Sequence, residues 1–404
     1  MKKSYLVIML LMFSVLLFAC GEKSYQIVIS KVYDATTQVN NAIELYNTSD
    51  KTVNLNNYAL NFYTNGSLDV SQTIALSGSI DAKSYYVIAS SEATDSELID
   101  ATDLIYQEGT MPFNGNDVIE LVHKNNVVDT VGQKGINIEY AKDLTLIRLG
   151  EVHAFQAQAE FYAFNFIYYL PDLFQFLKND NYEIKTIEDI YNGPRLEDRY
   201  LEMPYVSPDN DTIGGGGAVL TINTGIADGD TAYFRAGNGF PGGSVRYYYL
   251  NTPEVQGSYV NAEPWGYVAS KYNKEYQLVN ANEKTIYVQS MAGYALTEVN
   301  GRNLALVWIN GYLSQFMIVS EGLSEEVDIT YDNYDRAMSY KYVPYLTFLR
   351  FVEERAKING WATKGYPSNP DGEKSPDWNY AASGGGSNTT VNPVWSPHLT
   401  LPWE

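Results

Sequence analysis

Three short stretches hold the residue types that phosphate chemistry uses: Asp228-Gly229-Asp230-Thr231, then Arg246 followed by Asn251-Thr252-Pro253-Glu254, then Gly301-Arg302. Hard cations such as calcium take oxygen ligands from carboxylates, carbonyls and water. Asp230, the Asn251 side chain and the Thr252 carbonyl offer such a set, and Glu254, two residues on, is placed to hold a water instead. A phosphodiester under attack spreads negative charge over its equatorial oxygens, and a planar guanidinium meets that charge bidentately. Arg246 and Arg302 are the candidates for that contact. Calcium acidifies bound water less than zinc does, so the attacking water needs a positioned base, and Glu254 takes that role.

The same residues resemble the thermonuclease (staphylococcal nuclease-like) family, whose pattern runs D-G-D-T, then R-x-x-x-x-D-T-P-E, then Y-G-R. The resemblance covers roughly residues 220 to 361 and extends to Glu263-Pro264-Trp265-Gly266, Asn303-Leu304-Ala305 and Glu354-Arg355-Ala356-Lys357. It implies hydrolysis of DNA or RNA phosphodiesters with calcium. Asp230, Asn251 and the Thr252 carbonyl would then be the metal ligands, Arg246 and Arg302 the phosphate contacts and Glu254 the general base. Two positions depart from the family: Asn251 stands where it has aspartate, and Asn300 where it has tyrosine. The first removes one formal negative charge from the metal site. A rival reading is a non-catalytic surface protein that binds nucleic acid or polysaccharide through a degenerate site. Retention of Asp230, Arg246, Glu254 and Arg302 together favours the enzyme.

Elements able to position these residues follow from periodicity. Val245 to Leu250 reads as a strand delivering Asn251 and Glu254 at its end, and Leu304 to Asn310 as another, with Asn310-Gly311 as a hairpin turn. Ala269 to Leu278 and Pro344 to Lys357 read as helices. The resemblance assigns residues 220–363 to an OB-type five-stranded barrel with packed helices.

Upstream, Ile27 to Tyr33, Ala42 to Tyr46, Tyr85 to Ala89 and Asp117 to Val122 alternate as short strands, with Asn65-Gly66 and Asn114-Gly115 as turns. Strands at this spacing predict a β-sandwich. Ile43-Glu44-Leu45-Tyr46-Asn47, Val53-Asn54-Leu55-Asn56-Asn57-Tyr58 and Asn116-Asp117-Val118-Ile119-Glu120-Leu121 with Val128-Asp129 resemble lamin-tail domains, which implies an immunoglobulin-like sandwich over residues 25–180. Asp117, Glu120 and Asp129 alternate with apolar residues, so they are expected on a solvated sheet face rather than in a second metal site. The aromatic run from Phe161 to Phe176 lacks interleaved basic residues and is expected in the core. Residues 181–219, with Asn192-Gly193-Pro194 and Gly214 to Gly217, read as a linker ending in a flexible joint. The chain is thus expected to be mainly β with two domains.

Met1-Lys2-Lys3 and the apolar run from Tyr5 to Phe18 read as a secretory signal over residues 1–19. Leu17-Phe18-Ala19-Cys20 resembles a bacterial lipobox, which implies lipidation of Cys20, residues 20–24 as the lipidated end and linker, and a membrane-anchored protein on the outer face of the cytoplasmic membrane. Cys20 is the single cysteine, which excludes disulfides and thiolate metal sites. The formal charge of -21 argues against tight packaging of nucleic acid and for a bridging cation. Within residues 220–361 the balance is milder, about 11 basic against about 15 acidic side chains. Residues 364–404 lack periodicity and are expected to be disordered, with Trp378, Trp395 and Trp403 available for docking.

Overall fold

The computed structural model describes residues 26–150, 157–255, 263–327, 338–365 and 396–403. The chain divides into two compact units, one running to Phe166 and including Pro171–Asn181, the other comprising Ile167–Leu170 and the chain from Tyr182 onward. Both are mainly β.

In the first unit, β1 (Ile27–Tyr33), β2 (Ala42–Asn47), β3 (Tyr58–Tyr63), β4 (Gln72–Ala75), β5 (Tyr85–Ser90), β6 (Leu104–Tyr106), β7 (Val118–His123), β8 (Asn126–Val131) and β9 (Thr145–Arg148) form two sheets. One runs β9-β1-β2-β5-β6 and the other β8-β7-β3-β4. Every residue of β1 is buried, so its sequence is a continuous run rather than a clean alternation. The expected strands are present with shifts of a residue at their ends.

Three carboxylates expected on a solvated face lie instead in the interior: Asp117, Glu120 and Asp129 are all buried. Each is compensated. Arg148 donates to Asp129, whose Oδ2 also accepts from Ile29 N at 2.8 Å and whose Oδ1 accepts from Gln158 N at 3.1 Å. Glu120 accepts from Tyr63 Oη at 2.5 Å and pairs with Lys134 at 2.6 Å. Asp117 accepts from Asn65 N at 2.6 Å and Asn114 N at 2.9 Å, holding both turns. The partners sit up to 100 residues away, so alternation within one strand does not reveal them. The buried pair also coincides with register shifts in both sheets, between Ile29 and Lys31 in β1 and between Val127 and Asp129 in β8. A second buried pair, Lys31 with Glu44 at 2.8 Å, is completed by Phe176 O and Asn179 O for the ammonium and by Lys178 N for the carboxylate. Phe174 and Leu177 pack with Tyr33, Val87 and Leu98, so that part of the aromatic run is core.

In the second unit, residues 182–219 are folded rather than linking. They carry α1 (Ile187–Tyr191), closed by a capping box between Thr186 and Asp189, and α2 (Arg199–Glu202). The Gly214–Gly217 run is a close-packed passage: a Cβ at Gly214 would lie 2.2 Å from Met291 O, and one at Gly217 2.1 Å from Met203 O. Glycine is required there for backbone approach, not for flexibility.

The main sheet of this unit contains β10 (Ala218–Thr221), β11 (Asn223–Ile226), β12 (Thr231–Phe234), β13 (Gly243–Tyr247), β15 (Ile286–Gln289), β16 (Asn303–Ile309) and β17 (Tyr312–Leu313), while β14 (Leu250–Asn251) pairs separately with β18 (Glu326–Val327). Its order is β10-β15-β16-β13-β12-β11, with β13 and β16 parallel and β17 on β16. The ladder does not close on itself among the described residues, yet its two end strands are consecutive in the chain, separated only by Ile222. Asn310 and Gly311, at φ 51° and 80°, turn β16 into β17 as the hairpin expected from Asn-Gly. The strand expected from Val245 to Leu250 breaks after Tyr247 because Tyr249 takes φ 71°, which carries Leu250 and Asn251 off the sheet to pair with β18. Helix α4 (Ser314–Ser320), buried along its whole length, packs on β16 and β17, and α5 (Tyr345–Asn359) packs on α4, while α3 (Gly266–Lys271) runs on into a wider turn at Tyr272–Gln277.

Residues 1–25 and 366–395 lie outside the described residues, so the expectations for the leader, Cys20, Trp378 and Trp395 do too. Residues 396–403 belong to the second unit: Leu401 is buried and Lys284 lies 5.0 Å over the Trp403 ring. Among the described residues no helix is long and apolar enough to cross a membrane.

Candidate functional site

Asp228 to Thr231 form the turn between β11 and β12, and Arg246 sits on β13 directly opposite Thr231 on one side and Leu304 on the other. Arg302 immediately precedes β16. Asn251 ends β14, and Thr252 to Glu254 follow it. The fold therefore brings Asp230, Arg246, Asn251, Thr252, Glu254 and Arg302 to one end of the β12-β13-β16 ladder. Gly229 permits the closeness, since a Cβ there would lie 2.6 Å from Thr252 Oγ1 and 2.7 Å from Ala269 Cβ.

Asp230 is the anchor. It is buried, and its Oδ2 accepts from Thr252 N at 2.7 Å and Thr252 Oγ1 at 3.0 Å. Its Oδ1 accepts from Thr231 Oγ1 at 3.0 Å and from Arg246 Nη1. The other end of the same guanidinium, Nη2, donates to Asn251 Oδ1. One arginine fork thus bridges the two side chains expected to bind metal. Burial pushes the Asp230 carboxyl up to about 6 against the pull of Arg246.

Arg302 is held by Glu298 through Nε and reaches Thr231 Oγ1 from Nη1 at 3.4 Å. The Arg302–Glu298 hydrogen bond holds Glu298 below its ordinary value and Arg302 above its own. Glu254 is half-buried, and its carboxylate accepts no hydrogen bond among the described residues. Burial and then Asp228 push it up, while Arg246 and Arg302 pull it down. Its backbone is fixed on both sides: Glu254 N donates to Glu263 Oε2 at 2.8 Å, Glu263 N donates to Glu254 O at 2.9 Å, and Gly266 lets that carbonyl approach where a Cβ would stand 2.0 Å away.

Asn251 Nδ2 donates to Glu325 Oε2 at 3.1 Å, and its carbonyl receives Glu325 N at 2.7 Å. Glu263, Glu298 and Glu325 are positioning residues that sequence reasoning did not assign. Only Glu298 leaves a local trace, its four-residue spacing to Arg302. Beside Arg246 lies a cavity of about 330 Å³ bounded by Tyr248, Leu304, Glu298 and Glu326.

Among the described residues no group of three or more His, Cys, Asp and Glu side chains is placed to hold a metal ion. A cation here therefore depends on neutral oxygens, Asn251 Oδ1 and the Thr252 carbonyl, beside the single carboxylate of Asp230. Asp230 Oδ1 and Asn251 Oδ1 both accept from one positive charge, the Arg246 guanidinium. The donor set fits a hard, weakly held cation.

Comparison with known families matches residues 22–135 to the lamin tail domain. The N-terminal sandwich is therefore an immunoglobulin-like lamin tail domain, as its strand motifs imply. Comparison with curated proteins finds no match for the chain.

Proposed function

We propose that the second unit is a nuclease-type phosphodiesterase acting on DNA or RNA, carried behind the lamin tail domain. The observation that supports this best is the gathering of Asp230, Arg246, Asn251, Thr252, Glu254 and Arg302 from three separate stretches of the chain onto one sheet end. Support for an OB-type barrel comes from β10 and β11, the consecutive ends of the ladder, which one bent strand would supply in such a barrel.

In this reading Arg302 and Arg246 present guanidinium donors to the phosphate, and Glu254, whose carboxylate accepts no hydrogen bond among the described residues and is raised above its ordinary value, takes the proton of the attacking water. Calcium held by Asp230, Asn251 and the Thr252 carbonyl would polarise a phosphoryl oxygen when bound. The lipidated Cys20 would keep the enzyme on the outer face of the cytoplasmic membrane; two acyl signals hold a protein stably where one does not. The second reading, a binding module with a degenerate site, is favoured by Arg246 occupying both Asp230 and Asn251.

Degradation of plasmid DNA and of RNA by the chain from residue 21 onward, with and without calcium, separates the two. Hydrolysis that Glu254→Gln abolishes while the melting temperature is retained supports the enzyme. Binding without turnover supports the module. Cys20→Ser should abolish partition of the full chain into detergent, and equal partition of both forms would remove the anchor.

A further inference from the structure

We propose that Arg246 is an internal counter-ion that competes with a divalent cation for Asp230 and Asn251, so that cation binding releases its guanidinium toward substrate. The inference rests on the metal-ligand part of the reading above and concerns binding rather than turnover.

The oxygens decide it. A carboxylate has about four lone-pair sites, and Asp230 accepts from four donors: Thr252 N, Thr252 Oγ1, Thr231 Oγ1 and Arg246 Nη1. Three of these come from the backbone or short side chains of the turn and Thr252. The fourth is the tip of a long side chain that leaves by rotation. Among the described residues Asn251 Oδ1 accepts from Arg246 alone, and its amide group donates to Glu325. A cation gains access to either side-chain oxygen by displacing the same guanidinium, and the two occupants are mutually exclusive there.

Charge points the same way. With aspartate at position 251, a cation would meet two carboxylates; with asparagine, a single carboxylate faces a single guanidinium and the pair is already neutral. The released arginine has its cross-strand neighbours Thr231 on β12 and Leu304 on β16 as fixed points and the cavity bounded by Tyr248 and Glu298 beside it. Arg302 does not share the device, because its partners are Glu298 and Thr231 rather than the oxygens a cation needs.

Calorimetric titration of the full chain with calcium chloride tests this. Arg246→Met removes the competitor, and a charge-assisted hydrogen bond of this kind predicts calcium affinity rising about tenfold or more. Arg302→Met removes the same charge without freeing Asp230 or Asn251 and should tighten calcium much less. Asn251→Ala should weaken binding in either background. Equal gains from both arginine variants would mean general repulsion and overturn the proposal. So would an unchanged affinity in Arg246→Met, or the absence of binding in every form.

Should Arg246→Met fail to fold, the unaltered chain carries the test: calcium should accelerate phenylglyoxal labelling of Arg246, located by mass spectrometry. A labelling rate indifferent to calcium, with calcium bound, also overturns it. A chain that shows the competition but degrades no nucleic acid keeps this inference and loses the nuclease reading.

Discussion

Replacing Arg148 by methionine should destabilise the lamin tail unit far more than its modest loss of volume explains. The two side chains of the Arg148–Asp129 pair are 1% and 0% exposed. Arg148 also donates from Nε to Ile29 O at 2.8 Å, while Asp129 Oδ2 receives Ile29 N at 2.8 Å, so the pair holds both backbone polar groups of one β1 residue. Methionine fills most of the space over Phe166, where the guanidinium carbon lies 4.6 Å from the ring centroid, but leaves the carboxylate without its counter-charge. Breaking a buried pair this way costs about 3–5 kcal/mol, whereas replacing both partners by apolar residues is often neutral.

The loss also depends on pH with a definite sign. Burial already raises the Asp129 carboxyl and Arg148 opposes the rise. Without Arg148 the folded-state value climbs further, and stability present below the ordinary carboxylate range is lost as pH rises through the new value. The defect should therefore be largest at pH 7–8 and shrink toward pH 4. Chemical denaturation followed by far-ultraviolet circular dichroism measures it, and hydrogen exchange of β1, β8 and β9 peptides assigns it to this unit. Arg148→Met with Asp129→Leu should recover most of the loss. A single-variant loss under about 1 kcal/mol at pH 7, or one indifferent to pH, would refute the reasoning.

Glu321, buried and accepting from His398 N at 2.7 Å and Leu399 N at 3.0 Å, is pushed up to about 7 by burial, so its contribution to stability is full below its ordinary value and lost as pH rises through 7. Glu321→Gln should narrow the difference in melting temperature between pH 5 and pH 8, and an unaltered difference would count against that ionisation. Gly229→Ala should cost about 1–3 kcal/mol, read from the denaturation midpoint, because its methyl meets Thr252 and Ala269, neither of which has a flexible end to move aside. Arg302→Ala should lower turnover about 100-fold to 1,000-fold if the proposed hydrolysis occurs, with little change in melting temperature; equal losses on removing the remote Arg235 would indicate diffuse attraction instead.

Much of the sandwich was legible because strand patterns are local. Ile27 to Tyr33 and Tyr85 to Ala89 announce themselves by β-branched and aromatic residues between polar turns, and Asn310-Gly311 by the left-handed backbone it permits. The buried carboxylates were not legible. Asp129 alternates with valines as a solvated residue would, and only Arg148, on another strand, reverses the reading. Gly214 to Gly217 misled for a related reason: glycine marks both freedom and crowding, and the neighbours that decide between them, Met203 and Met291, lie elsewhere in the sequence. At the candidate site, residue types showed which groups belong together. They did not show that Arg246 spends its two donor groups on Asp230 and Asn251, a choice fixed by the Tyr249 kink that swings Asn251 off the sheet.

The lamin tail match ends at residue 135, whereas the compact unit around it does not. A fragment stopped there would lack Arg148, leaving Asp129 uncompensated, and would lack Phe176, Lys178 and Asn179, which complete the Lys31–Glu44 pair. Extending it to residue 166 restores only the first of these. The chain enters the second unit at Ile167–Leu170 before returning for Pro171–Asn181, so no single cut yields both units whole. Anyone isolating the sandwich needs the chain through residue 181, and a protease attacking the peptide after Phe166 would leave a tethered strip of that unit attached to the other piece.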